Sequence, residues 1–86
     1  MSIRIDSHTA RRATERGATE AEILDVLRTG QTIPGHGQRL GRAKVYPFAG
    51  LWNGKRYDEK RIEVFYVVEG TVHVTVTVYV FYGRWG

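Results

Sequence analysis

The sequence has no cysteine, and among its 86 residues it has only two prolines and one methionine. The absence of cysteine excludes disulfide bonds and metal sites built on thiolates. The three histidines, His8, His36 and His73, lie far apart, and no pair has the spacing of a metal-binding motif. We therefore expect no metal and no other cofactor.

Long hydrophobic runs are also absent. No apolar segment approaches the roughly 18 residues that a helix needs to cross a bilayer, and the N-terminal residues lack the apolar core of a signal peptide. The sequence therefore predicts a cytoplasmic protein without a membrane partner.

The composition that is present is typical of one globular domain. A chain with 42% hydrophobic and 26% charged residues can bury a single core at this length, so residues 1–86 are predicted to form one domain. The 13 Lys and Arg residues against 9 Asp and Glu residues give a formal net charge of +4. Such a surplus favours anionic partners such as RNA, DNA or an acidic protein.

Two short helices are predicted near the N-terminus. The first covers residues 8–16, with Ser7 as its N-cap and Gly17 ending it. The second begins after Thr19, which forms a capping box with Glu22. Because the connection between them is so short, we expect the two helices to form an αα-hairpin.

The middle of the chain predicts loops and short strands. Residues 31–42 are rich in glycine and are predicted to be mostly loop, with a short strand at 31–33. Residues 44–48 are predicted to form a strand, and residues 49–59 a wide connection. Within that connection, Asn53-Gly54 suits a hairpin turn.

The last third predicts a long β-hairpin. Residues 61–68 and 72–82 alternate in polarity and are rich in Val, Thr, Tyr and Phe. A two-residue loop would place Glu63 on the valine face, whereas a three-residue loop at residues 69–71 buries a clean apolar face. The three-residue loop is therefore predicted. It places Glu63 opposite Thr77 and Arg61 opposite Tyr79.

These elements predict an α+β domain. Its two N-terminal helices pack on an antiparallel sheet of three to four strands that ends in the long hairpin. We expect the helices to cover the valine face and to leave the opposite face partly open. The open face would carry Arg61, Glu63, Phe65, Val67, His73, Thr75, Thr77, Tyr79 and Phe81.

Three residues of the first helix form a candidate catalytic stripe. His8, Arg12 and Arg16 are spaced four residues apart, which places them on nearly one face of a helix. Guanidinium groups bind phosphate well, and histidine can act as an acid or a base. The alternative interpretation is an ordinary solvated helix face.

The open sheet face is a second candidate site, where Thr77 and Tyr79 could assist chemistry in a groove lined by Arg61 and Glu63. Cleavage of RNA by its own 2′-hydroxyl needs a base, an acid and a cation, and it needs no metal. The alternative is that threonine and tyrosine simply suit a strand.

A third candidate surface combines basic and aromatic residues. Such a mixture suits single-stranded RNA, because the bases stack on the rings while the cations neutralise the phosphates. The alternative is a solvated charged loop. The candidate RNA-binding residues are Trp52, Lys55, Arg56, Lys60 and Arg61.

The pattern of His8, Arg12 and Arg16-Gly17, followed by a capped second helix, resembles the opening of a small bacterial family of domains of unknown function. Residues 76–79, Val-Thr-Val-Tyr, are similar to that family's closing strand. The family is thought to share the fold of the barnase, colicin and RelE-type toxins. The resemblance implies a metal-independent endoribonuclease, with functional positions at His8, Arg12, Arg16 and Thr77.

Three hypotheses follow from the sequence. The first is a toxin-like ribonuclease that acts on RNA, with a cognate antitoxin as a candidate partner whose existence the sequence does not decide. The second is a non-catalytic basic module that binds RNA or an acidic protein. The third is a structural domain that forms oligomers. The sequence does not decide whether the chain is an enzyme, and it leaves the oligomeric state open.

Overall fold

The computed structural model describes all residues from 1 to 86, and it contains two helices and one five-stranded sheet. The strand order is β1-β5-β4-β3-β2, with β1 parallel to β5 and the other neighbours antiparallel. The α+β class with N-terminal helices is confirmed, but the prediction of three to four antiparallel strands is wrong. The elements are β1 (Ser2–Arg4), α1 (Ser7–Arg16), α2 (Glu20–Thr29), β2 (Gln31–Ile33), β3 (Leu40–Trp52), β4 (Lys55–Glu69) and β5 (Val72–Gly83).

Strand β1 has no counterpart in the sequence-based prediction. It is three residues long, and only Ile3 among them is half-buried. Three residues are too few to display the period of two that marks a strand. The parallel pairing joins Ser2 to Val72, two residues far apart in the sequence, and a local pattern does not reveal such a contact.

Helix α1 begins one residue earlier than predicted, because its N-cap is Asp6 and not Ser7. The Asp6 carboxylate accepts a hydrogen bond from the Thr9 N–H at 2.7 Å. Partial burial opposes ionisation, but the hydrogen bonds from Thr9 and the charges of His8 and Arg4 together lower the pKa of Asp6. A carboxylate is also favoured at this positive end of a helix.

The other predicted helix signals are confirmed. Gly17 ends α1 in the left-handed conformation, with φ 90°. Thr19 and Glu22 form both hydrogen bonds of the capping box at the start of α2.

The hydrophobic core lies between the helices and one face of the sheet, which we call the helix face. The opposite side, the open face, is not covered by a helix, and α1 packs mainly on β5 while α2 contacts β3 and β4. This arrangement agrees with the predicted division of the sheet into a covered and an open face. The core residues are Ala13, Ala18, Ile23, Val26, Leu27, Ile62, Val64, Tyr66 and Val78.

The predicted wide connection over residues 49–59 is wrong, because β3 and β4 form one long hairpin. Asn53 and Gly54 make its two-residue turn with φ 52° and 77°, as a type I′ turn requires. A bulge between Pro47 and Gly50 interrupts the register. Because the bulge breaks the alternation of side chains, the sequence pattern does not display the continuity of β3.

The turn between β4 and β5 also differs from the prediction. It has two residues, Gly70-Thr71, instead of three. Gly70 has φ 64° at the first turn position, as in a type II′ turn, whose twist suits a hairpin. A β-bulge then shifts the register between Phe65 and Tyr66.

The turn and the bulge together move the predicted pairing by two residues. Glu63 lies opposite Tyr79 instead of Thr77, and Arg61 lies opposite Phe81 instead of Tyr79. Because the shift is even, these side chains still lie on the open face as predicted.

Between the bulge and the turn, the side chains of β5 lie on the faces opposite to those predicted. The His73 ring stacks on the core residue Tyr66, with 5.1 Å between the centroids. The Thr75 hydroxyl is buried and accepts a hydrogen bond from the Asp6 N–H at 3.1 Å. His73 and Thr75 therefore lie on the helix face, and their predicted place on the open face is wrong.

Two side chains of the sheet hold the turn between the helices. Lys60 Nζ donates to the Gly17 carbonyl at 2.9 Å and forms a salt bridge with Glu22 at 3.0 Å. The Tyr82 hydroxyl donates to the Arg16 carbonyl at 2.7 Å. These contacts satisfy carbonyl groups that the end of α1 leaves without a helical partner.

A polar cluster joins α2 to β3 around the Asp25 carboxylate. Lys44 Nζ lies 2.7 Å from it and the Tyr46 hydroxyl 2.6 Å. The hydrogen bonds from Lys44 and Tyr46 lower the pKa of Asp25 from 3.8 to about 2. Burial and the nearby carboxylate raise the pKa of Tyr46.

We expect this cluster to make stability depend on pH in the acid range. The pKa of Asp25 is lower in the folded chain, so its stabilising effect is complete above pH 3.8 and is lost as the pH falls towards 2. Unfolding midpoints measured between pH 2 and 6 should show Asp25→Asn to be less stable than the parent near pH 6, with the gap closing towards pH 2. The exposed carboxylate of Asp58 is the matched control, and Asp58→Asn should show no such convergence.

Candidate functional site

The open face carries a cleft of about 240 Å³. Strands β4 and β5 supply its floor, and the loop between β2 and β3 supplies one wall. The volume is slightly below the about 300–1,000 Å³ of typical ligand pockets, so the cleft suits one part of a larger ligand. Its lining residues are His36, Arg39, Glu63, Phe65, Thr77, Tyr79 and Phe81.

The floor of the cleft depends on a glycine. Gly41 of β3 lies opposite Phe65 of β4, and a Cβ atom at Gly41 would stand 3.0 Å from the Phe65 ring and 2.9 Å from Ile33. Without a side chain at Gly41, the ring can lie close to the backbone of the neighbouring strand. The same ring contacts Tyr79 edge-on, with 5.9 Å between the centroids.

Glu63 is the only carboxylate that lines the cleft. Its Oε2 atom accepts a hydrogen bond from Arg61 Nε at 3.0 Å, and both side chains are largely buried. The Oε1 atom accepts no hydrogen bond from the protein. The ion pair therefore orients the carboxylate and leaves one oxygen for a ligand.

Arg16 connects α1 with the open face. Its guanidinium donates to the Val78 carbonyl of β5 and lies 5.0 Å above the centroid of the Tyr79 ring. A guanidinium over an aromatic face is attracted by the ring and fixes its orientation. The structure thus places two of the predicted catalytic residues, Thr77 and Tyr79, in the cleft, with Arg16 against the Tyr79 ring.

The other two predicted catalytic residues are not part of the cleft. His8 is exposed next to the Asp6 carboxylate and makes no side-chain hydrogen bond. Arg12 pairs with Glu15 at 3.1 Å on the surface of α1. The stripe predicted along α1 is therefore divided, with only Arg16 reaching the sheet.

The predicted RNA-binding cluster is divided as well. Lys60 is only 9% exposed and is engaged with Gly17 and Glu22, so it is not available to a ligand. Trp52 stacks on Tyr82 at 4.7 Å on the helix face. Lys55 and Arg56 are exposed at the tip of the β3–β4 hairpin, and Arg61 lies on the open face beside Glu63.

Sequence reasoning missed two cleft residues, His36 and Arg39. Both are in the loop between β2 and β3, and the Arg39 N–H donates to the His36 carbonyl at 3.0 Å. Neither side chain forms a hydrogen bond or a salt bridge within the chain. The available signal was weak, since Gly35 and Gly37 mark a tight loop without indicating which sheet face it approaches.

No family model, no curated protein and no solved structure matches the chain. The geometry of the open face is therefore the basis for a functional assignment. No helix is long and apolar enough to span a membrane. No group of three or more His, Asp and Glu side chains is placed to hold a metal ion.

Proposed function

We propose that the chain is a toxin-like domain that cleaves RNA as a metal-independent endoribonuclease, with the cleft of the open face as its active site. One observation carries the proposal. A carboxylate, an imidazole and a guanidinium, from Glu63, His36 and Arg39, line the same cleft beside aromatic rings. These are the groups that transfer of a phosphoryl group to a neighbouring hydroxyl requires.

The proposed reaction begins with the ribose 2′-hydroxyl. Glu63 Oε1 takes its proton while the 2′-oxygen attacks the adjacent phosphorus. Arg39 stabilises the negative charge that builds up on the phosphoryl oxygens. The bond to the 5′-oxygen breaks, and protonated His36 supplies the proton to that leaving oxygen. The products are a 2′,3′-cyclic phosphate and a 5′-hydroxyl.

The remaining polar groups have supporting roles in this proposal. Thr77 and Tyr79 present hydroxyl groups that can hold phosphoryl or ribose oxygens. Arg16 acts as a positioning residue, because its guanidinium lies over the Tyr79 ring. His8 and Arg12 are exposed on α1 and would contact only the more distant phosphates.

The direct test is cleavage of a labelled single-stranded RNA in the presence of EDTA. We expect cyclic-phosphate products from RNA and none from the matching strand with 2′-deoxyribose, because that strand lacks the attacking hydroxyl. Intact RNA, or equal cleavage of both strands, would exclude this mechanism. A Glu63→Gln preparation made in parallel reports any contaminating nuclease.

A non-catalytic binding module is the second candidate. It is favoured by the position of His36, whose side chain forms no hydrogen bond and is exposed in a loop flanked by glycines. A general acid needs a fixed orientation for catalysis, and no hydrogen bond fixes the orientation of the His36 side chain. This candidate predicts binding to RNA, or to an acidic partner such as an antitoxin, that weakens with salt and gives no product.

A further inference from the structure

Three aromatic side chains of the cleft, Phe65, Tyr79 and Phe81, lie together on the open face. The Tyr79 and Phe81 rings are nearly parallel, at 26°, with 6.4 Å between their centroids. Phe65 adjoins this pair at the cleft end. Because alternate residues of a strand share a face, Gly83 is the next position on the open face.

The ring of Trp85 lies against the place where a side chain at Gly83 would begin. Its atoms lie 3.5–4.0 Å from where a Cβ atom of Gly83 would stand. The backbone of this segment is held by Glu59 of β4, whose Oε1 accepts hydrogen bonds from the N–H groups of Trp85 at 2.6 Å and Gly86 at 3.2 Å. We name the resulting line of Phe65, Tyr79, Phe81 and Trp85 the aromatic row.

Most of the aromatic row is exposed to solvent and does not belong to the hydrophobic core. Tyr79, Phe81 and Trp85 are 41%, 47% and 43% exposed. Several exposed aromatic rings on one face are typical of a binding surface. Rings of this kind can stack on the bases of an unpaired strand.

The charges around the row favour a polyanion. Two carboxylates lie near the row. Glu63 is paired with Arg61 through one of its oxygens, and Glu59 accepts hydrogen bonds from backbone N–H groups. By contrast, Arg39 has no carboxylate partner, and Arg16 contacts only a carbonyl group and a ring. The net positive charge of the chain acts in the same direction.

The spacing of the rings restricts the ligand further. The 6.4 Å between Tyr79 and Phe81 is well above the about 3.4 Å between nucleotides along one strand of a duplex. Bases that follow the rings must therefore be unstacked from each other. A duplex cannot meet this requirement without being opened.

We propose that the aromatic row is a stacking track for one unpaired nucleic-acid strand, which runs from the cleft to Trp85 with successive bases on successive rings. The inference rests on the proposed RNA site, but it requires only binding and not cleavage. In this proposal Trp85 stacks on the base of the nucleic-acid strand that lies farthest from the cleft. Stacking tolerates every base, so the track selects for an unpaired strand and not for a sequence.

The test measures affinity against strand length. Labelled 2′-O-methyl oligouridines of two, four and six nucleotides resist cleavage, and fluorescence anisotropy gives their dissociation constants. We expect the parent to bind the longer strands more tightly than the dinucleotide. Trp85→Ala should weaken binding of the hexanucleotide about tenfold and leave the dinucleotide unchanged.

Two further variants control for structure. Trp85→Phe keeps a ring and should recover part of the loss. Trp52→Phe changes the other tryptophan, which lies on the helix face, and should bind every oligonucleotide like the parent. The stacking track is wrong if Trp85→Ala leaves the increase of affinity with oligonucleotide length unchanged. It is also wrong if the variant weakens the binding of all lengths equally.

Failure of the track and failure of the proposed ribonuclease give different results. RNA cleavage without any effect of Trp85→Ala would overturn the track alone. Binding that depends on length and on Trp85, without cleavage, would overturn the ribonuclease and leave the track. If no oligonucleotide binds, both are overturned, and the exposed rings would then be assigned to a protein contact.

Discussion

A Glu63→Gln variant is expected to cleave RNA about 10²–10⁴-fold more slowly than the parent, the usual effect of removing a general base. Glutamine keeps the shape of the side chain, but its amide cannot take the 2′-hydroxyl proton. The substitution also leaves Arg61 without its carboxylate partner on the open face. Binding of an uncleavable strand should therefore be unchanged or tighter, which separates a loss of chemistry from a loss of binding.

The matched control for Glu63→Gln is a double variant of α1, His8→Ala with Arg12→Ala. Both residues are outside the cleft, so cleavage in this variant should stay within a few-fold of the parent. The opposite result, full activity in Glu63→Gln and loss in the double variant, would transfer the catalytic role to the α1 stripe. Rates on one labelled RNA, measured side by side for the three proteins, decide between the two sites.

A Lys60→Met variant is expected to lower the free energy of unfolding by about 3 kcal/mol, since removing one partner of a buried ion pair leaves the other without compensation. Breaking a buried ion pair typically costs about 3–5 kcal/mol. The Lys60 and Glu22 side chains are 11% and 22% exposed, so we expect a value near the lower end of that range. The Gly17 carbonyl also loses its donor. Urea denaturation of the parent and the variant measures the difference.

The neighbouring residues allow a double-mutant cycle. Glu22→Gln removes the charge but keeps a side chain that can form the capping box with Thr19. Adding it to Lys60→Met should restore part of the stability, because no unpaired buried carboxylate is left. Lys55→Met, at the exposed hairpin tip, is the control and should change stability little. If Lys60→Met is as stable as Lys55→Met, the buried pair does not hold the helices.

Local patterns predicted the parts of the fold that local contacts determine. The capping box of Thr19 and Glu22 needs only residues three apart, and the sequence displays it. Strand β1 and the continuity of β3 were missed for different reasons. The first depends on pairing with a distant strand, and in the second the bulge at Ala49 breaks the alternation.

The candidate site was predictable on its strands and not on its loop. Alternation along β5 places Thr77 and Tyr79 on one face, and Glu63 of β4 shares that face in the predicted register and in the observed one, because the two differ by an even number of residues. His36 and Arg39 reach this face only because the β2–β3 hairpin folds towards Phe65, which no local signal indicates.

The prediction of Lys60 as a surface cation neglected a signal that was present. Lys60 is two residues before Ile62, and alternation along β4 places Ile62 on the face opposite to Arg61 and Glu63. The same period of two therefore directs Lys60 towards the helices, where it is nearly buried. A run of charges in the sequence concealed this alternation.

The hydrogen bond from Arg16 to the Val78 carbonyl has a consequence for self-assembly. Strand β1 pairs only with residues Val72 to Val74, so the rest of the outer margin of β5 has no neighbouring strand. An unpaired strand edge can form hydrogen bonds with a strand of another molecule, which leads to aggregation. The Arg16 guanidinium occupies the Val78 carbonyl, one of the acceptors that an incoming strand would need. It therefore opposes pairing of β5 with a strand of another molecule. An Arg16 substitution that abolished activity would therefore need to be examined for aggregates before the loss was attributed to chemistry.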